Sequence, residues 1–248
     1  MAAEALKDRI AIISDVHGNL TALEAVLSHI KDAGITRIFN LGDLVGKGPR
    51  SAETLDRCRE VCEVTVQGNW DAEIGMDVQW PSANWHRKQL GRQRIDYLSA
   101  LPGSFDFLLS GRRVRLFHAS QISPFVRVHA DAPREVLDAM FDNTDFTGFG
   151  PEPDIVGYGD IHQKWSLTTL RGTLFNAGSV GNPLDIPLSG YAVLEGRFGD
   201  ERPGPWSLGF VRLPYDIEAE IRIAEATDMP DVAHYVNELR TAKYRGKT

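Results

Sequence analysis

Cysteine is nearly absent from the chain: Cys58 and Cys62 are the only two among 248 residues. One close-spaced pair cannot build a disulfide framework, and no further Cys or His nearby completes a zinc cluster, so a reducing, cytoplasmic interior is expected. Long apolar runs are missing too. No stretch approaches the length needed to span a bilayer, and Met1 to Arg9 lacks the apolar stretch of a secretory signal. An excess of positive charge is also lacking: 27 Lys and Arg stand against 34 Asp and Glu, a formal net charge of −7. Broad, sequence-independent nucleic-acid binding needs a basic surface, so the balance argues against it while leaving room for a local basic pocket around a small phosphorylated substrate. Internal repeats and low-complexity segments are absent. What remains is an ordinary composition, 42% hydrophobic and 25% charged, sufficient for one domain over 1–248. It leaves a homo-oligomer open.

One stretch organises the rest. Ile10-Ala11-Ile12-Ile13 runs into Asp15-Val16-His17-Gly18-Asn19, after which Leu20, Leu23, Val26, Leu27 and Ile30 recur at helical spacing. This reads as a buried strand, a short polar turn and an amphipathic helix that stops at Gly34. A carboxylate and an imidazole two residues apart can converge on one metal ion. Ligands of α/β sheets gather at the carboxyl ends of strands. Asn19 as an N-cap and Asp15 as a turn former account for the same residues without a metal.

The pattern recurs along the chain. A strand over 35–41 ends in Gly42-Asp43, followed by Lys47 and Arg50. Gly46-Lys47 is not a Walker loop, because the glycine spacing and the following Ser or Thr are wrong. Ser51 is expected to cap a helix to about Glu60. A third strand, 61–66, ends in Gly68-Asn69-Trp70-Asp71, where Asn69 is either a left-handed turn residue or an oxygen ligand. A strand over 114–117 ends at His118, and one over 154–158 ends in Gly159-Asp160-Ile161-His162.

Between 72 and 111 the pattern changes to a helical, cap-like excursion, with Trp80, Trp85 and Tyr97 interleaved with Arg87, Lys88 and Arg92. It reads equally as a lid that touches substrate and as a helix half-buried on the main body. Antiparallel strands are expected over 165–170, 173–176, 191–195 and 206–213. C-terminal helices follow over 214–248, with the chain fraying from Lys243.

Five strand ends thus carry Asp15/His17, Asp43, Asn69, His118 and Asp160/His162. Each alone has an ordinary structural reading. Together they place metal-competent side chains at successive strand termini, which share one sheet edge. His29, His86, His129 and His234 lack that setting and read as surface or packing histidines.

The set DxH, GDxxG, GNxD, a lone His after a strand and a Gly-x-x-His turn resembles the calcineurin-like metallophosphoesterase family, in particular its small bacterial and archaeal phosphodiesterase-type members. The match runs over about residues 9–195. The resemblance implies an α/β fold, a four-layer αββα sandwich of two mixed β-sheets flanked by helices, with two divalent metal ions at one edge. By the motifs, Asp15, His17 and His162 would hold the first metal. Asn69, His118 and Asp160 would hold the second, and Asp43 would bridge both. A hydroxide between the metals would attack phosphorus, with Asp43, Asn69 and His118 as the catalytic set that positions metal and transition state. Two ions about 3.5–4 Å apart suit this, since they clamp the phosphoryl group and stabilise the leaving oxygen.

Two positions depart from the family pattern. Trp70 stands where the family usually has a His that helps protonate the leaving group, and an indole never titrates in range. Diesters and good leaving groups are therefore expected over alkyl monoesters. Asp160 stands where the family usually has His. It adds an oxygen donor and removes one positive charge from the formal count, which leans the second site toward Mn²⁺ or Fe²⁺, with Zn, Ni and Mg as alternatives. Lys47, Arg50, Arg127 and Trp70 are candidate substrate-binding residues, and the three cations also read as solvated surface. The implied function is a phosphodiesterase acting on a small phosphorylated metabolite or nucleotide, with a diadenosine polyphosphate as the nearest variant. The alternative is a binding or scaffold module of the same fold whose second metal site is weakened.

Overall fold

The computed structural model describes residues 8–76 and 80–246. In chain order the strands are β1 (Asp8–Ile13), β2 (Arg37–Asn40), β3 (Val64–Thr65), β4 (Ser104–Leu109), β5 (Arg112–Phe117), β6 (Ile155–Tyr158), β7 (Lys164–Thr168), β8 (Thr173–Ala177), β9 (Ser189–Gly196) and β10 (Ser207–Leu213). The helices are α1 (Leu20–Asp32), α2 (Ser51–Val61), α3 (Asn69–Gly75), α4 (Pro81–Ser99), α5 (Arg134–Ala139), α6 (Ile217–Glu225) and α7 (Val232–Thr241). A 3-10 turn, Tyr244–Gly246, closes the described chain.

The strands form two five-stranded sheets in the orders β10-β9-β1-β2-β3 and β4-β5-β6-β8-β7. Both are mixed. β1 runs parallel to β2, with Ile12 opposite Phe39, and antiparallel to β9, with Ile12 opposite Ala192. In the second sheet β6 lies parallel to both β5 and β8, while β4 and β7 are antiparallel edges.

Strand alternation sorts side chains into layers. Ile10 and Ile12 of β1 meet Phe39, Leu116, Ile155 and Phe175 in a core shared by the two sheets. Ala11 and Ile13 point the other way, against Leu23, Val26, Ile30, Leu55 and Leu90 of α1, α2 and α4. On the far side, Val156, Tyr158 and Leu174 pack against Leu137, Met140 and Phe141 at α5. The result is the expected α/β sandwich. No described helix is long and apolar enough to cross a membrane.

Asn19 caps α1 through its side chain, which accepts from the Ala22 N–H at 2.9 Å, and Gly34 follows the helix at positive φ. Other details differ from the sequence reading. The helical excursion ends before 104: residues 104–109 are β4, whose Phe107 and Leu109 enter the shared core. The third strand is only Val64–Thr65, because Val61 completes α2. Ser51 does not cap α2. Arg50 holds that position, and the Ser51 hydroxyl instead accepts from Gly46 N–H and bonds His86 at 2.9 Å. The C-terminal turn at 244–246 touches the body through the Arg245 N–H, which donates to Glu238. Residues 247 and 248 lie outside the described part.

The topology fixes where the chemistry goes. β1, β2, β3, β5 and β6 end on the same edge, and each hands the chain to one of the polar turns. Those turns are tied to one another: Asp15 N–H donates to Gly42 carbonyl, His17 N–H to Asp43 carbonyl, and Gly159 N–H to His118 carbonyl.

Candidate active site

The edge gathers all seven expected ligands. Asp15, His17, Asp43, His118, Asp160 and His162 are buried, none more than 5% exposed. Five of them, Asp15, His17, Asp43, Asp160 and His162, take positive φ values between 47° and 63°. Such backbone is costly for residues with a side chain and concentrates at functional sites, where the surrounding fold enforces it. Asn69 is not the left-handed turn residue that one reading allowed: it opens α3, with its side-chain oxygen 3.0 Å from His118 Nε2.

Three histidines are oriented in one way. His17 Nδ1 lies 3.1 Å from Val45 carbonyl, His118 Nδ1 lies 2.8 Å from Leu41 carbonyl, and His162 Nδ1 bonds Asn182 carbonyl. A carbonyl oxygen only accepts, so each Nδ1 carries the proton; at His17 and His162 this leaves the Nε2 lone pair facing inward, whereas His118 Nε2 faces the Asn69 oxygen and the Asp43 carboxylate. Yet His17 Nε2 and His162 Nε2 are 3.1 Å apart, and His162 Nε2 is 3.2 Å from Asp15 Oδ1. His17 Nε2 is also 3.5 Å from Asp43 Oδ2. That buried Asp15 oxygen has no hydrogen-bond partner. Facing lone pairs need a cation between them. A proton is a poor choice there, because burial and the neighbouring His162 hold His17 well below its usual pKa.

A second cluster joins Asp15 and Asp43 to His118, whose Nε2 is 3.5 Å from Asp43 Oδ2. Burial opposes a charged ring at His118, but the Asp43 carboxylate outweighs it and raises the pKa to about 10. This gap, too, asks for positive charge. The donor set of imidazole nitrogens and carboxylate oxygens fits two divalent ions, with Asp43 between the clusters.

Asp71 supports this arrangement and was given no role in the sequence reading, although it ends the Gly68-Asn69-Trp70-Asp71 motif. Fully buried, it accepts from the N–H groups of Asp43 at 2.8 Å, Leu44 at 3.0 Å and Gly68 at 3.0 Å. Burial and the nearby Asp43 push its pKa up to about 7. The signal available was its place three residues after the helix cap, the acidic half of a capping box. Gly68 is needed because a Cβ there would lie 2.1 Å from Asp43 Oδ1.

The family model for the calcineurin-like phosphoesterase superfamily domain matches residues 9–197. The chain belongs to that superfamily. An uncharacterised protein of Methanocaldococcus jannaschii, MJ0912, is 31% identical over 228 residues, 86% of this chain and 90% of its own. The phosphodiesterase YfcE of Escherichia coli K12 is 32% identical over 99 residues, 35% of this chain and 54% of its own. Among solved structures, a metallophosphoesterase from Sphaerobacter thermophilus superposes with TM-score 0.71 at 27% identity, covering 94% of this chain and 98% of that one. The superfamily uses a dinuclear divalent metal site, and the two Asp/His clusters of this chain could hold metal ions.

The remaining candidates fall into different places. A cavity of 580 Å³ opens over the clusters, lined by His17, Asp43, Lys47, Asn69, Trp70, Arg127, Asp160 and His162 among others. Lys47 donates to Asn182 at 2.7 Å and pairs with Glu238 at 3.3 Å. Trp70 stands edge-on to His17, ring centroids 6.2 Å apart, with Trp80 beyond it at 5.3 Å. His129 and His234 are exposed, as expected of surface histidines, and also border the cavity. They come from a loop and from α7, so no strand-end pattern marks them. Arg127 grips Asp160 through two bonds of 2.7 Å. It therefore restores the positive charge that Asp160 removes from the formal count, and the lean toward Mn²⁺ or Fe²⁺ rests on the oxygen donor alone.

Arg50 does not reach the cavity lining. It pairs with the fully buried carboxylate of Glu220 in α6 and with Thr21. The physical reason is that a buried carboxylate demands a cation. Arg50→Ala is expected to lower stability by about 3 kcal/mol, near the bottom of the range for broken buried pairs, because Thr21 and Tyr235 still donate to Glu220. The melting temperature should fall by roughly 6–12 °C, with KM for a phosphodiester unchanged. A raised KM in a variant of native stability would return Arg50 to the substrate site.

Proposed function

We propose that the chain is a metal-dependent phosphodiesterase acting on a small phosphorylated metabolite or nucleotide, with a diadenosine polyphosphate as the nearest variant. The observation that carries this reading is the inward convergence of the His17 and His162 Nε2 lone pairs on the partnerless Asp15 Oδ1. Asp15, His17 and His162 would hold one ion, Asn69, His118 and Asp160 the other, and Asp43 would bridge them. When bound, a pair of divalent ions polarises the phosphoryl group and acidifies the attacking water. Manganese or iron suits the oxygen-rich second set.

The protein's own groups do the rest. Lys47 and the Arg127 guanidinium line the cavity, where they would draw the phosphate down onto the ligands. Trp70 offers a flat apolar wall to the leaving group and no titrating proton, which favours diesters with stable leaving alcohols. The cavity suits a small molecule rather than a macromolecular surface. The two cysteines are free thiols, which agrees with a cytoplasmic setting.

The test is hydrolysis of bis-p-nitrophenyl phosphate by the full chain after metal stripping, then with Mn²⁺, Fe²⁺, Zn²⁺, Ni²⁺ or Mg²⁺ restored. Turnover that appears with metal, disappears with chelator and exceeds that on p-nitrophenyl phosphate supports the reading. A folded protein inert with every ion would favour the scaffold alternative instead.

A further inference from the structure

The two clusters are not equivalent. Around the first, Asp15, His17 and His162 present donor atoms within 4.8 Å of one another, and Asp43 Oδ2 lies 3.5 Å from His17. Around the second, Asp43 and Asn69 stand 3.5 Å and 3.0 Å from His118 Nε2. The remaining donor is Asp160, whose Oδ1 lies 3.9 Å from the same nitrogen. Both of its oxygens are already engaged. Arg127 Nε bonds Oδ2 at 2.7 Å and Arg127 Nη2 bonds Oδ1 at 2.7 Å. A forked guanidinium–carboxylate pair is among the strongest polar contacts a protein makes. It drains charge from the oxygens and sets a fixed cation against the approach of a dication. The two partners differ in freedom: the Asp160 side chain is 3% exposed, whereas that of Arg127 is 50% exposed on the cavity wall.

We infer that Arg127 competes with the second metal ion for Asp160, so that the first centre fills tightly and the second fills weakly and reversibly. Arg127 is then the residue that sets the second ion's affinity. Asp160 cannot leave, because it is buried and its N–H donates to Asp15 Oδ2 at 3.1 Å. The guanidinium can turn toward the cavity. The clamp has a further consequence for metal choice. An ion that accepts a partly neutralised oxygen donor must be one that tolerates weak ligands, and any ion must overcome the same guanidinium. Asymmetry between the centres therefore follows from the residues, whichever metal is supplied. This inference rests on the two-metal reading above.

Calorimetric titration of the metal-free full chain with Mn²⁺ tests it, with electron paramagnetic resonance to detect coupled ion pairs. The native chain should give two steps, the second about tenfold or more weaker. In Arg127→Met the second step should tighten by about tenfold, the scale of outer-shell effects on metal affinity, while the first step shifts little and reports that the fold is intact. Coupled pairs should then appear at a lower manganese ratio. Arg127→Lys keeps the charge but loses the fork, so its second step should fall between the two, and it decides the matter if the Met variant does not fold. Two equal steps in the native chain would overturn the inference. So would a second step that weakens in Arg127→Met, since Arg127 would then be orienting Asp160 for the metal. Absence of any manganese binding would instead remove the two-metal reading itself.

Discussion

Asp43→Asn is expected to lower metal-dependent kcat/KM on bis-p-nitrophenyl phosphate by about a thousandfold or more, equivalent to roughly 4 kcal/mol of transition-state stabilisation. The substitution is nearly isosteric. The position Oδ1 occupies, where Asp43 accepts from the Trp70 N–H at 2.9 Å, can still be filled by the amide oxygen. What disappears is the negative charge at Oδ2, which lies 3.5 Å from both His17 Nε2 and His118 Nε2. No other carboxylate is that close to a histidine of each cluster among the described residues, so no neighbour can take over. Burial already raises the Asp43 pKa, which means that a metal-free chain holds this charge at a cost. The metal-free Asn variant should therefore melt at or above the native temperature while losing activity. That opposite movement separates a metal-bridging role from a structural one. Activity within about tenfold of native, in a variant that folds, would show that Asp43 does not join the two centres.

Much of this site is legible in the sequence because its ligands sit at the ends of apolar strands. Asp15 follows Ile10–Ile13, His118 follows Val114–Phe117, and Asp160 follows Ile155–Tyr158 without an intervening helix. The side-chain alternation that buries each strand also delivers the next polar residue to the sheet edge. The fold class follows from the same strands. β4 was also readable in principle, since Phe105, Phe107 and Leu109 alternate, but the helical run before it masked the change of period. Other features depend on tertiary neighbours. Arg50 sits three residues from Lys47, yet only the placement of α6 decides that it serves Glu220 rather than substrate. Arg127 lies in a long loop with no periodicity, 33 residues from its partner Asp160. His234 reaches the cavity from a helix that no strand-end pattern connects with it.

Metal removal should lower the melting temperature by about 8–16 °C. An ion present at about a thousand times its Kd stabilises the native state by about 4 kcal/mol per site, and a chain of this size shifts by roughly 2–4 °C per kcal/mol. Only the first centre is counted, because Arg127 competes with the second ion for Asp160 and leaves that centre weak. The comparison is a scan in excess Mn²⁺ against one in chelator. His17→Ala should abolish most of the difference, because it removes one of the two facing Nε2 lone pairs. The same midpoint, within about 2 °C, with and without metal would mean that the first centre binds no ion tightly. The stripped chain should nevertheless unfold cooperatively and keep its secondary structure. Its ligand turns are held by backbone bonds that do not pass through a metal: Asp15 N–H to Gly42 carbonyl at 3.0 Å, His17 N–H to Asp43 carbonyl at 2.9 Å, and Gly181 N–H to Asp15 carbonyl at 2.9 Å. Those bonds pay for the left-handed backbone of the ligand residues before any ion arrives. Little ordering is then left to metal binding, which favours a tight first centre, and the increment in stability follows from its Kd and the metal concentration.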